Sequence, residues 1–151
     1  MSQSLSKLYV HIIFHVKNDS TLVAEEDRTK LYAYIGRVLN SNDSSPILIN
    51  GVCDHVHILC VASKNIALSK LVEEVKKNSS RWIKTESTRY KKFAWQGGYG
   101  CFSVSPSLLD KNKQYIANQK THHEKISFKD EYILFLKEYG IEYNEKFLWT
   151  N

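Results

Sequence analysis

Residues 46–62, PILINGVCDHVHILCVA, decide how this chain is read. Two apolar, β-rich runs meet at Asp54, the one carboxylate in the stretch. Residues 46–53 read as one strand and 55–62 as the next, with Gly51 as a candidate bulge. On a strand, side chains alternate between faces. His55 and His57 therefore share one face, and Val56 points to the other, into a core.

The pattern extends in both directions. Residues 8–17, LYVHIIFHVK, have the β-branched and aromatic content of a first strand. Residues 24–40 open with acidic residues and carry Leu31, Tyr34, Ile35 and Val38 at helical spacing, and 42–45 form a polar turn. Residues 66–85 make a second helix, with Leu68, Leu71, Val72 and Val75 on one face and lysines on the other. A glycine-rich turn leads to a fourth strand within 95–104. Ser105-Pro106 then suits a helix start that runs to about residue 122. A further helix over 128–138 stops near Gly140, and the apolar tail 141–149 docks on the body. The order β-α-β-β-α-β is the ferredoxin-like arrangement, an α+β fold: an antiparallel sheet with helices on one face, here followed by C-terminal helices. No repeat, low-complexity tract or linker interrupts it, so residues 1–151 read as a single domain.

Composition sets outer bounds. Hydrophobic residues make up 42% and charged residues 25%, which excludes a disordered chain as the default. Cys53, Cys60 and Cys101 have no CxxC spacing and cannot all pair within one chain, which argues against a disulfide scaffold and suits a reducing cytoplasm. No secretory leader is visible, and the apolar run 8–16 is too short to span a bilayer. The net charge of +5 favours a polyanionic partner without establishing one. Nine Lys/Arg against three Glu between residues 64 and 92 concentrate that charge mid-chain.

Two short constellations carry chemistry. The first is His55-Val56-His57, since neutral imidazole is a common transition-metal ligand; taken alone, it reads more readily as two polar residues on a solvated sheet face. The second is Tyr115-Ile116-Ala117-Asn118-Gln119. Residues i and i+4 share a helix face, so a phenol that can attack phosphorus stands one turn from a hard amide oxygen that suits Mg²⁺ or Mn²⁺. A lone tyrosine among nine more often packs at a helix interface. His122-His123 are neighbours on a helix and do not share a face, so they read as C-terminal residues favourable to the helix dipole. His11 reads as a core histidine or a support to a ligand, and Asp54 as a turn residue or as an orienter of a ligand histidine.

Together these residues resemble the HUH single-tyrosine transposases, the insertion-sequence-200-like family. His55-Val56-His57 matches its His-hydrophobic-His element and Tyr115-x-x-x-Gln119 its tyrosine element. Trp95-Gln96-Gly97-Gly98-Tyr99-Gly100, Phe102-Ser103-Val104-Ser105 and Tyr9-Val10-His11-Ile12-Ile13-Phe14 resemble its connecting and opening segments. The likeness runs over roughly residues 7–149. One departure is His15-Val16-Lys17, where relatives often carry a small polar residue before Thr-Lys; it leaves the catalytic set intact.

The resemblance implies a metal-assisted transesterification on single-stranded DNA. Tyr115 would be the nucleophile, forming a 5′-phosphotyrosine link and a free 3′-hydroxyl that later rejoins strands. His55, His57 and Gln119 would hold a divalent metal ion, Mg²⁺ or Mn²⁺. DNA with subterminal hairpins at insertion-sequence ends would be the partner. A homodimer with trans active sites is implied as well, and the apolar first strand and sheet edge are consistent with pairing. For phosphate neutralisation the basic stretch offers Lys76, Lys77, Arg81, Lys84, Arg89, Lys91 and Lys92. Trp82 and Trp95 serve either as base-stacking platforms or as core, and the lysines read equally as a solvated helix face. A domesticated or non-catalytic hairpin-DNA or RNA-binding module on the same fold is the competing function. An RNA-recognition domain would show aromatic motifs on its central strands, where this chain has His55 and His57.

Overall fold

The computed structural model describes residues 2–149. Strands β1 (Leu8–His15), β2 (Ser45–Gly51), β3 (His55–Ala62) and β4 (Gly100–Val104) form one antiparallel sheet in the order β2-β3-β1-β4. This is the ferredoxin-like order expected from the sequence. Helices α1 (Glu25–Ser41) and α2 (Leu68–Glu86) cover one face of it.

Alternation along β1 and β3 gives the sheet two distinct faces. Val10, Ile12 and Phe14 of β1, with Val56, Ile58 and Cys60 of β3, pack against Leu31, Ile35 and Leu39 of α1 and Leu71, Val72, Val75 and Ile83 of α2. Each such fully buried aliphatic side chain contributes about 1.5–3 kcal/mol of transfer free energy. The other face carries His11, Ile13 and His15 across from Leu59, His57 and His55. It is not solvated. Helices α3 (Leu109–Ala117), α4 (Gln119–His122), α5 (Phe128–Glu138) and α6 (Glu145–Leu148) supply its cover. Ile116 packs on Leu59 and Val104, while Phe128, Tyr132 and Leu136 pack on Ile13 and Phe102. Gly140, at φ +63, ends the segment after α5, as a left-handed glycine does.

Several expectations are corrected. β1 is a central strand, between β3 and β4, so it offers no edge for a second chain to cover; the edges are β2 and β4. The third helix is not continuous to residue 122. Pro106–Leu108 form a 3-10 turn, α3 ends at Ala117, and the chain breaks at Asn118 before α4. Ser105 precedes the turn in extended conformation, but its hydroxyl meets Ser107 Oγ rather than capping the helix. The β2–β3 ladder shifts register between Pro46 and Leu48, not at Gly51.

Gly51 has a different job. A Cβ there would sit 2.2 Å from the His55 carbonyl oxygen and 3.0 Å from Val56 Cα. Only a residue without a side chain lets β2 and β3 close beside the histidines. Gly51→Ala should therefore cost about 1–3 kcal/mol through forced backbone displacement, a fall of several degrees in the thermal midpoint. Thermal unfolding followed by circular dichroism measures this, and an unchanged midpoint would show that the strands have slack here.

Candidate active site

β3 delivers His55 and His57 to the buried face under α4 and α5; they are 2% and 0% exposed. A buried imidazole needs partners for both ring nitrogens, and the fold provides them. His55 Nδ1 lies 2.7 Å from Asp54 Oδ1, and its Nε2 lies 3.3 Å from Gln119 Oε1. His57 Nδ1 lies 2.7 Å from His11 Nε2, and its Nε2 lies 3.1 Å from Glu131 Oε1. Both Nδ1 atoms are thus held by supporting side chains, and both Nε2 atoms face the same small volume. Asp54 and His11 play the orienting parts the sequence left open for them.

The C-terminal helices bring the rest. Gln119 begins α4 and is fully buried; its amide nitrogen donates to the Tyr115 carbonyl at 3.4 Å, which turns Oε1 toward His55. Tyr115, near the end of α3, donates its hydroxyl to Glu131 Oε2 and lies 3.2 Å from His122 Nε2. Glu131 stands at the centre. Its Oε1 is 3.3 Å from His123 Nε2 and 3.7 Å from His55 Nε2, and its Oε2 is 3.0 Å from His122 Nε2. His122 and His123 do not share a helix face, yet both reach this carboxylate. The helix ends there: residue 123 lies just past α4, and the chain returns through a turn into α5, which carries Glu131 back to both rings.

Electrostatics follow from enclosure. Burial pushes the His57 imidazole down to about 4, against the hydrogen bond it donates to Glu131, which favours its charged form. Burial also drives His11 well below the ordinary histidine value, with His57 adding to the effect. Burial opposes the charge on Glu131 too, but hydrogen bonds from His123, His57 and Tyr115 outweigh it and hold the carboxyl well below the usual carboxylate range. Burial, then the Glu131 carboxylate, pushes the Tyr115 phenol upward. At His123 burial works against the charged form, but the hydrogen bond to Glu131 and its charge outweigh it and raise the imidazole. The Glu131 carboxylate therefore lies between neutral His57 and a protonated tyrosine.

These donors fit a divalent cation. His55, in the neutral form that gives Nδ1–H to Asp54, aims a bare Nε2 lone pair at the oxygens of Gln119 and Glu131. Acceptors facing acceptors in a buried volume are unfavourable; a cation seated there removes the conflict, as does a proton on Nε2. The ligand atoms of His55, His57, His123 and Glu131 all lie within 4.8 Å of one another. Atoms bound to one ion at about 2.1 Å stand about 3.0 Å apart at right angles and about 3.4 Å apart at tetrahedral angles, which is close to the spacings here.

Tyr115 also lines a cavity of about 250 Å³ with Lys111, Asn112, Phe135 and Tyr139, so its ring is reachable from outside while the histidines are not.

The basic stretch lies apart from this cluster. α2 packs on the opposite face of the sheet. Arg81, Lys84, Lys91 and Lys92 are exposed. Lys77 pairs with Glu74 at 3.2 Å and Arg89 with Glu26 at 3.1 Å. The Lys76 ammonium donates to the carbonyls of Gln96 and Gly98 and lies 5.1 Å from the Phe14 ring centre; burial lowers it to about 8. Trp82 stacks on Tyr34 at 4.9 Å. Trp95 is buried between Phe14 and Phe93 and donates Nε1–H to Ser79.

Sequence reasoning missed Glu131, and it set His122 and His123 aside. Glu131 follows His57 by 74 residues. Its one signal was a carboxylate on the apolar side of a helix, beside Phe128, Tyr132 and Leu136, where a buried acid needs a partner.

Comparisons with known proteins bear on the fold and the family. No curated protein matches the sequence significantly. Among solved structures, a candidate transposase from Deinococcus radiodurans R1 superposes with a TM-score of 0.60 at 21% identity, over 79% of this chain and 98% of that one. A REP-associated tyrosine transposase, determined bound to a REP hairpin, superposes with a TM-score of 0.60 at 14% identity, over 83% of this chain and 76% of its own. At these identities the likeness establishes the shared fold. The family model described as "Transposase IS200 like" matches residues 4–119, about three quarters of the chain and including both His55-Val56-His57 and Tyr115-x-x-x-Gln119, and the chain belongs to that family.

Proposed function

We propose that the chain is a single-strand DNA transposase in which Tyr115 is the nucleophile and His55, His57 and Gln119 hold a divalent metal ion, Mg²⁺ or Mn²⁺. One observation carries this reading: the Tyr115 hydroxyl meets one oxygen of the Glu131 carboxylate, while the Nε2 atoms of His57 and His55 lie 3.1 and 3.7 Å from the other. Separately, a HxH pair or a tyrosine at the edge of a helix is unremarkable. Joined at one carboxylate, they supply a nucleophile beside a cation site.

The chemistry is transesterification. The Tyr115 oxygen attacks a phosphodiester phosphorus, the bond from phosphorus to the 3′ oxygen breaks, and the 5′ phosphate stays on tyrosine. Glu131 Oε2 and His122 Nε2 stand at the phenol to receive its proton, a need made acute by a phenol that burial makes a weaker acid. The leaving oxygen takes up a proton as a 3′-hydroxyl. The reverse attack, by a 3′-hydroxyl on the phosphotyrosine, rejoins strands without an external energy source. When bound, the cation polarises the phosphate and stabilises charge on the leaving oxygen.

The substrate reading draws on the basic face. Arg81, Lys84, Lys91 and Lys92, with Lys77 and Arg89 as partly neutralised neighbours, suit a DNA backbone, and the hairpin carried by the REP-associated neighbour suggests a structured end as ligand. Lys76, Trp82 and Trp95 are committed to intramolecular contacts and fit this role less well. Residues 1–151 act as one domain on this reading. The free cysteines suit the cytoplasm, and no helix among the described residues is long and apolar enough to cross a membrane.

Single-stranded DNA carrying the element end, incubated with Mn²⁺ and run on a denaturing gel, should yield a covalent protein–DNA adduct. Tyr115→Phe removes the attacking oxygen, so it should fold and bind DNA yet give no adduct; adduct at the wild-type level would move the nucleophile to another tyrosine. EDTA, or His57→Ala, should abolish cleavage and spare hairpin binding measured by mobility shift, since phosphate neutralisation needs no metal. Robust cutting by His57→Ala in EDTA would sink the metal-assisted mechanism.

A homodimer with exchanged tyrosines belongs to the same proposal. The described chain fills its own site with its own α3 and α4, so exchange amounts to swapping the segment after Ser105 between two copies. Heterodimers of Tyr115→Phe with His57→Ala should then recover cleavage, because one of the two sites combines intact residues from both chains. A verified heterodimer that cuts nothing would mean that each chain completes its own site.

A further inference from the structure

Glu131 is the one buried glutamate among the described residues, 1% exposed, and its two oxygens serve different neighbours. Oε1 faces the Nε2 atoms of His57, His123 and His55 at 3.1, 3.3 and 3.7 Å. Oε2 receives the Tyr115 hydroxyl. We propose that Glu131 is itself a ligand of the metal, through Oε1, and that through Oε2 it sets the nucleophile against that metal. The assignment rests on the metal-dependent reading above and extends it.

Charge is the first reason. His55, His57 and Gln119 are neutral ligands in a volume that is nearly closed to water. A divalent cation placed there with neutral donors alone keeps its full charge in a low-dielectric setting, which is costly. A carboxylate at the same point neutralises half of it, and its own burial is compensated in return. Donor type is the second reason: Mg²⁺ and Mn²⁺ prefer hard oxygen ligands, carboxylate above all. Spacing is the third. The separations from Oε1 to the two strand imidazoles, 3.1 and 3.7 Å, lie within a few tenths of an ångström of those expected for neighbouring ligands on one ion.

The nucleophile depends on the same side chain. Tyr115 sits on α3, and the break at Asn118 separates it from the helix of Gln119. Backbone continuity therefore does not fix the phenol relative to the ligand pair. Glu131, arriving from α5, ties the hydroxyl to the imidazoles with one rigid carboxylate.

The competing role for Glu131 is a counter-ion to His122 and His123 that anchors α5. Direct metal titration separates the two. Purified full-length protein without DNA is titrated with Mn²⁺, with binding read by calorimetry and folding checked by circular dichroism. Wild-type protein should bind Mn²⁺, and Tyr115→Phe should bind it within about twofold of that. Glu131→Gln, which keeps shape and hydrogen bonding but not charge, should weaken binding about tenfold or more. Glu131→Asp retains the charge but draws the oxygen back by one methylene. It should weaken binding as well, and it replaces the amide variant if that one misfolds. Folded Glu131→Gln or Glu131→Asp with wild-type affinity would overturn the assignment. If His57→Ala then loses Mn²⁺ while the Glu131 variants keep it, the metal site stands and only the role of Glu131 falls. A wild-type protein that takes up no Mn²⁺ would remove both.

Discussion

The period of two along β3 is the constraint on which the rest depends. Val56, Ile58 and Cys60 enter the apolar core under α1 and α2, so His55 and His57 must emerge on the other side. Polar rings delivered to that face have two options: solvent, or a second layer able to satisfy them. The chain takes the second. Its C-terminal third is a cover whose inner surface carries hydrogen-bonding groups in the middle and aromatic rings at the margin.

That cover is held by two kinds of contact, and they divide the work. Phe128, Tyr132 and Leu136 on Ile13 and Phe102 contribute apolar burial. Trp149 adds to it against Phe128 and Tyr132, and the Gln96 amide donates to the Leu148 carbonyl. The polar cluster contributes specificity more than stability, because a buried carboxylate recovers its desolvation cost only in one arrangement of partners. Sliding α5 by a turn would leave Glu131 uncompensated. The apolar margin holds the cover down, and the carboxylate decides where it sits.

Much of this was legible in the sequence because it was local. Strand β3 and helix α5 begin and end where the pattern put them. The pairing of His55 with His57 on one face follows from spacing alone; that of Tyr115 with Gln119 does not, because the helix breaks at Asn118 between them. What escaped was everything that depends on a distant element. Glu131 meets His57 across 74 residues, and no periodicity encodes that meeting. The break at Asn118 was invisible because Asn is tolerated within helices and the residues on both sides favour them. Lys76 resembles the other lysines of its helix in type, but a loop twenty residues on supplies carbonyls for its ammonium. Trp95 was readable equally as a stacking platform or as core until Ser79 was found at its indole nitrogen.

The sheet also acts as a partition. Reactive groups lie on one side, and the exposed cations of α2 and the segment after it lie on the other, with four strands of hydrogen-bonded backbone between them. Under the proposed function, a strand held on the basic side would have to pass around an edge of the sheet to present a phosphate to Tyr115. On that proposal, grip and reaction would be joined by the contour of the nucleic acid rather than by side-chain contact. On the same proposal, changes on the α2 surface would re-tune which end is held while leaving the Tyr115 and histidine side untouched, so that the two faces of one small fold could diversify separately.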